Sequence, residues 1–249
     1  MGEMSQAVQA QLLALNRTFY STVARPFDRT RQGVQSGMVE LVEQLPHESV
    51  PLRVLDAGCG NGRFAAVLAQ QGHTAVYVGV DQAEQLLAMA AEQTATLAPI
   101  EARFVTANLG EADWSAVLAG EEPFDVVVCL ATLHHFPGHA LRRRILRELA
   151  GLLKHAGLLA LSTWQFLDSA RLASKLVDWS VIGLSPDDVE AGDALMPWKQ
   201  GQYALRYVHQ IDADEIQALA TGLDLRIVDQ FRADGKEGNL NLYTLFERK

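Results

Sequence analysis

One stretch constrains this chain more than any other: Leu52-Arg-Val-Leu-Asp56 followed at once by Ala57-Gly-Cys-Gly-Asn-Gly62. The first five residues, mostly aliphatic, make a short strand. Three glycines at alternate positions then let the backbone reverse tightly and let a ligand approach main-chain atoms. Such a turn leads into a helix, and Phe64 to Gln71 has helical spacing, with Gly72 placed to cap it. The pattern then repeats. Strands are expected at Ala75 to Val80, Ala102 to Thr106, Phe124 to Leu130 and Gly157 to Thr163, with helices at Ala83 to Leu97 and Ala140 to Leu153. The near-continuous valine run at 126–128 suits a strand buried on both faces. Strands alternating with helices imply a parallel sheet with right-handed crossovers.

Around this core the pattern differs. Residues 5–45 read as helical, with a loop or broken helix between Tyr20 and Arg31 where Pro26 interrupts. Residues 165–205 break the alternation: a helical segment from Ala170 to Ile182, an acidic stretch (Asp187, Asp188, Glu190, Asp193) and Met196-Pro-Trp198 read as an insertion over the C-terminal edge of the sheet. Asp212 then caps a helix, and two late strands, Leu223 to Arg232 and Leu240 to Glu247, are joined without one, so one of them runs antiparallel. The expected α/β architecture is a seven-stranded, mostly parallel sheet with helices on both faces and an insertion after strand five. Its segments are a helical cap (1–50), a ligand-binding core (51–164), an insertion or lid (165–210) and a terminal helix with a strand pair (211–249).

With 49% hydrophobic residues in 249, the chain buries a sizeable core and is not disordered. Its apolar runs fall far short of the roughly 20 residues a membrane helix needs, so no membrane association is expected. Met1 to Ala10 lacks the basic start of a secretory signal, and two cysteines, Cys59 and Cys129, make neither a disulfide framework nor a metal site. The expectation is a cytoplasmic protein with no bound metal.

The glycine turn also narrows the ligand. Its spacing is G-x-G-x-G, with Arg63 where a dinucleotide fingerprint has its last glycine. Asp56 repels a pyrophosphate and suits a cationic amine, while Asp81, ending the second strand, stands where a ribose-binding acid belongs. A ligand with an ammonium group and a ribose but no phosphate is S-adenosylmethionine.

At this point Val54-Leu-Asp-Ala-Gly-Cys-Gly-Asn-Gly-Arg-Phe64 resembles motif I of class I methyltransferases, so the fold implied is Rossmann-like. The resemblance implies that Asp56, Gly58, Cys59, Gly60 and Gly62 wrap the methionine part of the cofactor and that Asp81 holds the ribose hydroxyls. It implies that Gln82 flanks the adenine, that Asn108 and Leu109 bind and cover it, and that the segment starting at Leu130 lies near the sulfonium. Further matches resemble the enzymes that methylate 5-carboxymethyluridine at the tRNA wobble position, including the AlkB-homologue-fused form. Tyr20, Val23, Ala24, Phe27, Thr30 and Arg31 match a Y-x-x-I-A-x-x-F-x-x-T-R stretch. Leu195-Met-Pro-Trp198 and Arg206-Tyr-Val-His209 match L-V-P-W and R-Y-Y-H segments. Three places depart from that pattern: Lys154-His-Ala-Gly157, Val208, and Gly238-Asn-Leu-Asn-Leu-Tyr243.

The implied acceptor is a carboxylate of a modified wobble uridine in tRNA. A small-molecule acceptor under a lid and a non-catalytic cofactor-binding protein are the alternatives. Candidate acceptor residues are Arg206 and His209, as partners for a carboxylate, and His134, near the sulfonium. Arg31 is a candidate for the cofactor carboxylate. Each also has a structural reading, as a loop histidine or an ion-paired arginine. Eukaryotic members of the resembled family act with a small zinc-binding activator, which this sequence neither requires nor excludes. The net charge of -9 excludes a uniformly basic nucleic-acid binder. It leaves two local basic runs, Arg17 to Arg31 and Arg142-Arg-Arg144 with Arg147 and Lys154; a solvated helix face is the plainer reading of the second.

Overall fold

Apolar runs become strands where the alternation places them. In the computed structural model, which describes residues 4–29, 35–47, 50–199 and 203–249, these are β1 (Leu52–Ala57), β2 (Ala75–Asp81), β3 (Ile100–Thr106), β4 (Phe124–Leu130) and β5 (Leu153–Trp164). All five pair in parallel. The hairpin β6 (Asp193–Trp198) and β7 (Ala204–His209) forms a separate two-stranded sheet. β8 (Leu225–Ala233) and β9 (Asn241–Arg248) complete the main sheet, in the order β3-β2-β1-β4-β5-β9-β8. β9 runs antiparallel to both its neighbours, so the expected reversed strand is the last one. The fold is the seven-stranded, mostly parallel Rossmann-like sheet that the sequence implies.

The helices are α1 (Gln6–Arg29), α2 (Ser36–Glu43), α3 (Arg63–Gln70), α4 (Glu84–Thr94), α5 (His139–Gly151), α6 (Ala170–Ala173) and α7 (Ala213–Ala220). Strand side chains alternate between two apolar layers. Val54, Tyr77, Val126 and Val128 pack with Leu41 of α2 and Phe64 and Leu68 of α3. Leu55, Val78, Val127 and Cys129 pack with Ile145 of α5 and Ile216 of α7. Each of these buried aliphatic or aromatic side chains contributes about 1.5–3 kcal/mol relative to exposure. Both faces of the sheet are therefore covered. Among the described residues no helix is long and apolar enough to cross a membrane.

Three expectations need correction. Of the break expected between Tyr20 and Arg31, the described part is helical: α1 continues past Pro26 to Arg29. Proline removes one amide donor, and here it sits within the last turn, so one lost bond does not end the helix earlier. The helix expected from Ala170 to Ile182 is two short pieces, α6 and a single 3-10 turn at Trp179–Ile182, because Asp178 caps the second by accepting from the Ser180 amide and Val177 bridges to Leu195. The insertion also contains the β6–β7 hairpin. Its register alternates: Leu195 and Tyr207 face α1 and Trp179, while Ala194, Met196 and Val208 face Phe166 and Leu172.

Candidate functional site

Strand order reverses between β1 and β4, since β2 and β3 lie on one side and β5 on the other. In open α/β sheets such a switch point leaves a crevice at the C-terminal ends of the strands. Here it is a cavity of about 690 Å3, walled by strand ends, by α1 and by the C-terminal turn.

Asp56, near the end of β1, is 3% exposed. Burial pushes its carboxyl up to about 7; the Tyr77 hydroxyl, donating across 2.5 Å, opposes this, Asp81 adds to it and Arg63 opposes it. Gly58, Gly60 and Gly62 all have positive φ, of 83°, 55° and 78°. A Cβ on Gly58 would meet the Thr132 hydroxyl at 2.3 Å, so glycine is needed there for the approach of the β4 loop. A Cβ on Gly60 would stand in open space, on the cavity wall. Asp81 ties this turn to the next: its carboxylate accepts from the Gly60 and Ala83 amides, each at 2.9 Å. Burial raises its pKa against those amide bonds. Asn108 forms its own turn, accepting from the Gly110 amide at 3.0 Å. Gln82, Asn108, Leu109 and Leu130 complete this half of the wall. Cys59 also lines it, but burial and the two aspartates keep its thiol protonated.

A buried and a half-buried carboxylate at the mouth of a glycine turn suit a ligand carrying an ammonium group and ribose hydroxyls, and oppose a phosphate. The residues present, Asp56, Asp81, Gln82, Asn108 and Leu109 on one cavity wall, therefore fit S-adenosylmethionine.

The other half of the cavity is aromatic and cationic. Arg206 of β7 is buried, with its guanidinium 4.9 Å from the Trp164 ring centre and 5.3 Å from that of Phe19. Burial lowers its pKa while Tyr20, its hydrogen-bond partner, opposes this; it stays a cation. Tyr20, His134, His135 and Trp164 line the same wall. His134 Nδ1 accepts from the Trp164 amide at 3.4 Å. Trp198 packs edge-on against Phe19.

His209 does not belong to this wall. Its Nδ1 lies 2.6 Å from Asp193 and its Nε2 2.7 Å from Glu215. The cause is the period of a strand: Arg206 and His209 are three residues apart on β7 and point to opposite faces. With Arg142, which bridges Glu190 and Glu215 at 2.8 and 2.7 Å, His209 forms a buried ionic network joining the hairpin to α5 and α7. Glu190, Asp193 and His209 approach one another as metal ligands do, and the Arg142 guanidinium already supplies a cation beside them. The next two arginines of the run are likewise engaged. Arg143 donates to the Ala218, Leu219 and Thr221 carbonyls at the end of α7, and Arg144 to those of Leu109, Gly110 and Glu111. Arg31 lies outside the described residues.

Several wall residues escaped sequence reasoning: Asn16, Arg63, Asp234 and Asn241. The only sequence signal for them was that Asn16 interrupts an apolar helix face and that Asp234 precedes a glycine in a turn. Asp234 accepts from the Gly37 amide at 3.0 Å and from Tyr243 at 2.7 Å, so it joins α2 to the terminal hairpin.

Residues 54–157 match the family model described as "Methyltransferase domain". Residues 54–157 form a methyltransferase domain. Over 120 residues it is 33% identical to trans-aconitate 2-methyltransferase of Streptomyces avermitilis, covering 47% of this chain and 38% of that protein. Over 145 residues it is 26% identical to the tRNA (carboxymethyluridine(34)-5-O)-methyltransferase of Mus musculus, covering 58% of this chain and 19% of that one. The chain thus spans less than half the length of either curated relative. Among solved structures, a methyltransferase of Methanosarcina mazei superposes with a TM-score of 0.64 at 20% identity, over 84% of this chain and 96% of that one, and shares the fold.

Proposed function

We propose that this domain transfers the methyl group of S-adenosylmethionine to a carboxylate oxygen, the carboxylate being that of a modified wobble uridine in tRNA. The observation that carries this reading is Arg206: a buried guanidinium between two aromatic rings, in the same cavity as Asp56 and Asp81. When bound, S-adenosylmethionine supplies a methyl group on a sulfonium, open to in-line displacement. A carboxylate is ionised at neutral pH, so the protein needs no general base. Its task is alignment, which is worth up to ~7–11 kcal/mol in well-oriented intramolecular reactions. Arg206 attracts the carboxylate, and Phe19 and Trp164 exclude water, which strengthens that attraction. Asp56 and Asp81 hold the opposite end of the cavity for cationic and hydroxyl groups. The likeness to the carboxymethyluridine enzymes favours tRNA as the source of the carboxylate.

A small organic acid is the second reading. It is favoured by the engagement of Arg142, Arg143 and Arg144 inside the protein, which takes away a basic helix face, and by the relative named for trans-aconitate.

Incubation with a methyl-labelled cofactor and total tRNA, with and without prior mild alkaline ester hydrolysis, tests the choice. Label in the hydrolysed tRNA supports the first reading. Label confined to a parallel extract of small acids moves the assignment to the second, and label in neither refutes both.

A further inference from the structure

A hydrogen-bond chain beside Arg206 has its directions fixed by one backbone carbonyl. The Tyr207 carbonyl oxygen can only accept. His135 Nδ1 lies 3.3 Å from it, so that nitrogen carries the ring proton. In the neutral ring Nε2 then has no proton. Tyr20 Oη lies 2.7 Å from Nε2, so the tyrosine hydroxyl donates a hydrogen bond to the histidine. The lone pairs of Tyr20 Oη are left to N–H donors, and the Arg206 guanidinium is hydrogen-bonded to it. Asn16 fixes the frame: its amide donates to the His135 carbonyl at 2.9 Å and the Tyr207 carbonyl at 3.1 Å, and its oxygen accepts from the Tyr207 amide at 2.8 Å.

We propose that Tyr20 and His135 are positioning residues for carboxylate recognition: the Tyr207 carbonyl sets the His135 tautomer, His135 accepts the hydrogen bond of the Tyr20 hydroxyl, and Tyr20 thereby holds the Arg206 guanidinium in one orientation on the cavity wall. The inference rests on the carboxylate reading above and adds the residues that make Arg206 directional. Without this chain the guanidinium keeps its charge and its aromatic neighbours but loses the Tyr20 bond that helps to aim its fork. A bidentate contact with a planar carboxylate depends on that aim. Phe19 and Tyr20 are neighbours on α1, so the helix that covers the cavity also sets the geometry of its cation.

Ring-nitrogen NMR of histidine-labelled protein, with His135 assigned by its loss in His135→Gln, reads the tautomer directly. The expected result is a proton on Nδ1; a proton on Nε2 overturns the inference. Kinetics with alkali-treated total tRNA give the second readout. Tyr20→Phe is expected to raise the acceptor KM by about tenfold or more, as loss of a hydrogen bond to a charged group does, with cofactor affinity unchanged. His135→Gln keeps an acceptor atom for the Tyr20 hydroxyl and is expected to retain activity that His135→Leu loses. Unchanged acceptor kinetics in Tyr20→Phe, or equal losses in His135→Gln and His135→Leu, overturn the inference. A wild-type protein that forms no methyl ester removes the carboxylate reading whatever the tautomer; an ester-forming protein with the wrong tautomer removes only this inference.

Discussion

Tyr77 of β2 donates its hydroxyl to the Asp56 carboxylate of β1 across 2.5 Å, wholly inside the protein. Burial raises the Asp56 carboxyl to about 7, and the tyrosine bond restrains that rise. Affinity for S-adenosylhomocysteine is therefore expected to increase as pH rises through about 7, where Asp56 gains the charge that suits an ammonium group. The sign for the free fold is opposite. Between the ordinary carboxyl value of 3.8 and about 7 the folded chain holds a proton that the unfolded chain has released, so stability falls as pH rises through that window. Tyr77→Phe is expected to move the midpoint of cofactor binding to higher pH; calorimetric titrations on both sides of neutrality check it.

Asp81 is both a wall residue and the acceptor that ties Gly60 to Ala83. Asp81→Ala is expected to abolish cofactor binding. Asp81→Asn keeps one accepting oxygen and the shape, and is expected to bind weakly with the fold intact, as calorimetry and circular dichroism would show. Unchanged binding in either variant would refute the ribose assignment.

The network of Arg142, His209, Asp193, Glu190 and Glu215 makes stability depend on pH in a defined direction. Burial alone would lower the His209 pKa, but its hydrogen bonds to Asp193 and Glu215 outweigh this and raise it. A raised histidine contributes stability that is full below its unfolded value of 6.5 and lost as pH rises through the folded value. His209→Gln is expected to lower Tm most in acid, flattening its pH dependence, with methyl transfer per folded molecule unchanged. Arg142→Ala leaves carboxylates without their cation and is expected to cost about 3–5 kcal/mol by denaturant unfolding.

Arg143 caps the carbonyls at the end of α7. Arg143→Ala is expected to cost about 1.5–3 kcal/mol of stability and to leave the salt dependence of tRNA binding unaltered. A reduced salt slope would mean that this arginine meets phosphate instead.

Much of the sheet is legible in the sequence because parallel strands buried on both faces are unbroken apolar runs, as at Val126-Val-Val128. The glycine turn and the acids Asp56 and Asp81 are legible because their chemistry is local to one strand–turn–helix unit. The β6–β7 hairpin is not: Pro197 and a short alternating pattern conceal it. That missing hairpin explains the misplacement of His209. Once β7 is a strand, its period of two separates Arg206 from His209. The engaged state of Arg142, Arg143 and Arg144 is equally hidden, since successive helix positions fan out toward α7 and the Asn108 turn, partners that only the fold brings near.

The claim that the acceptor atom is a carboxylate oxygen, held by Arg206, is tested most directly by the stability of the product in alkali. A carboxylate ester releases its labelled methyl as volatile methanol on mild alkaline treatment, whereas a methyl ether or a methylated amine keeps it. The account predicts that the label transferred by the wild-type protein is released, and that Arg206→Gln transfers little of it. Label that stays with the acceptor after alkali, or transfer undiminished in Arg206→Gln, would contradict it.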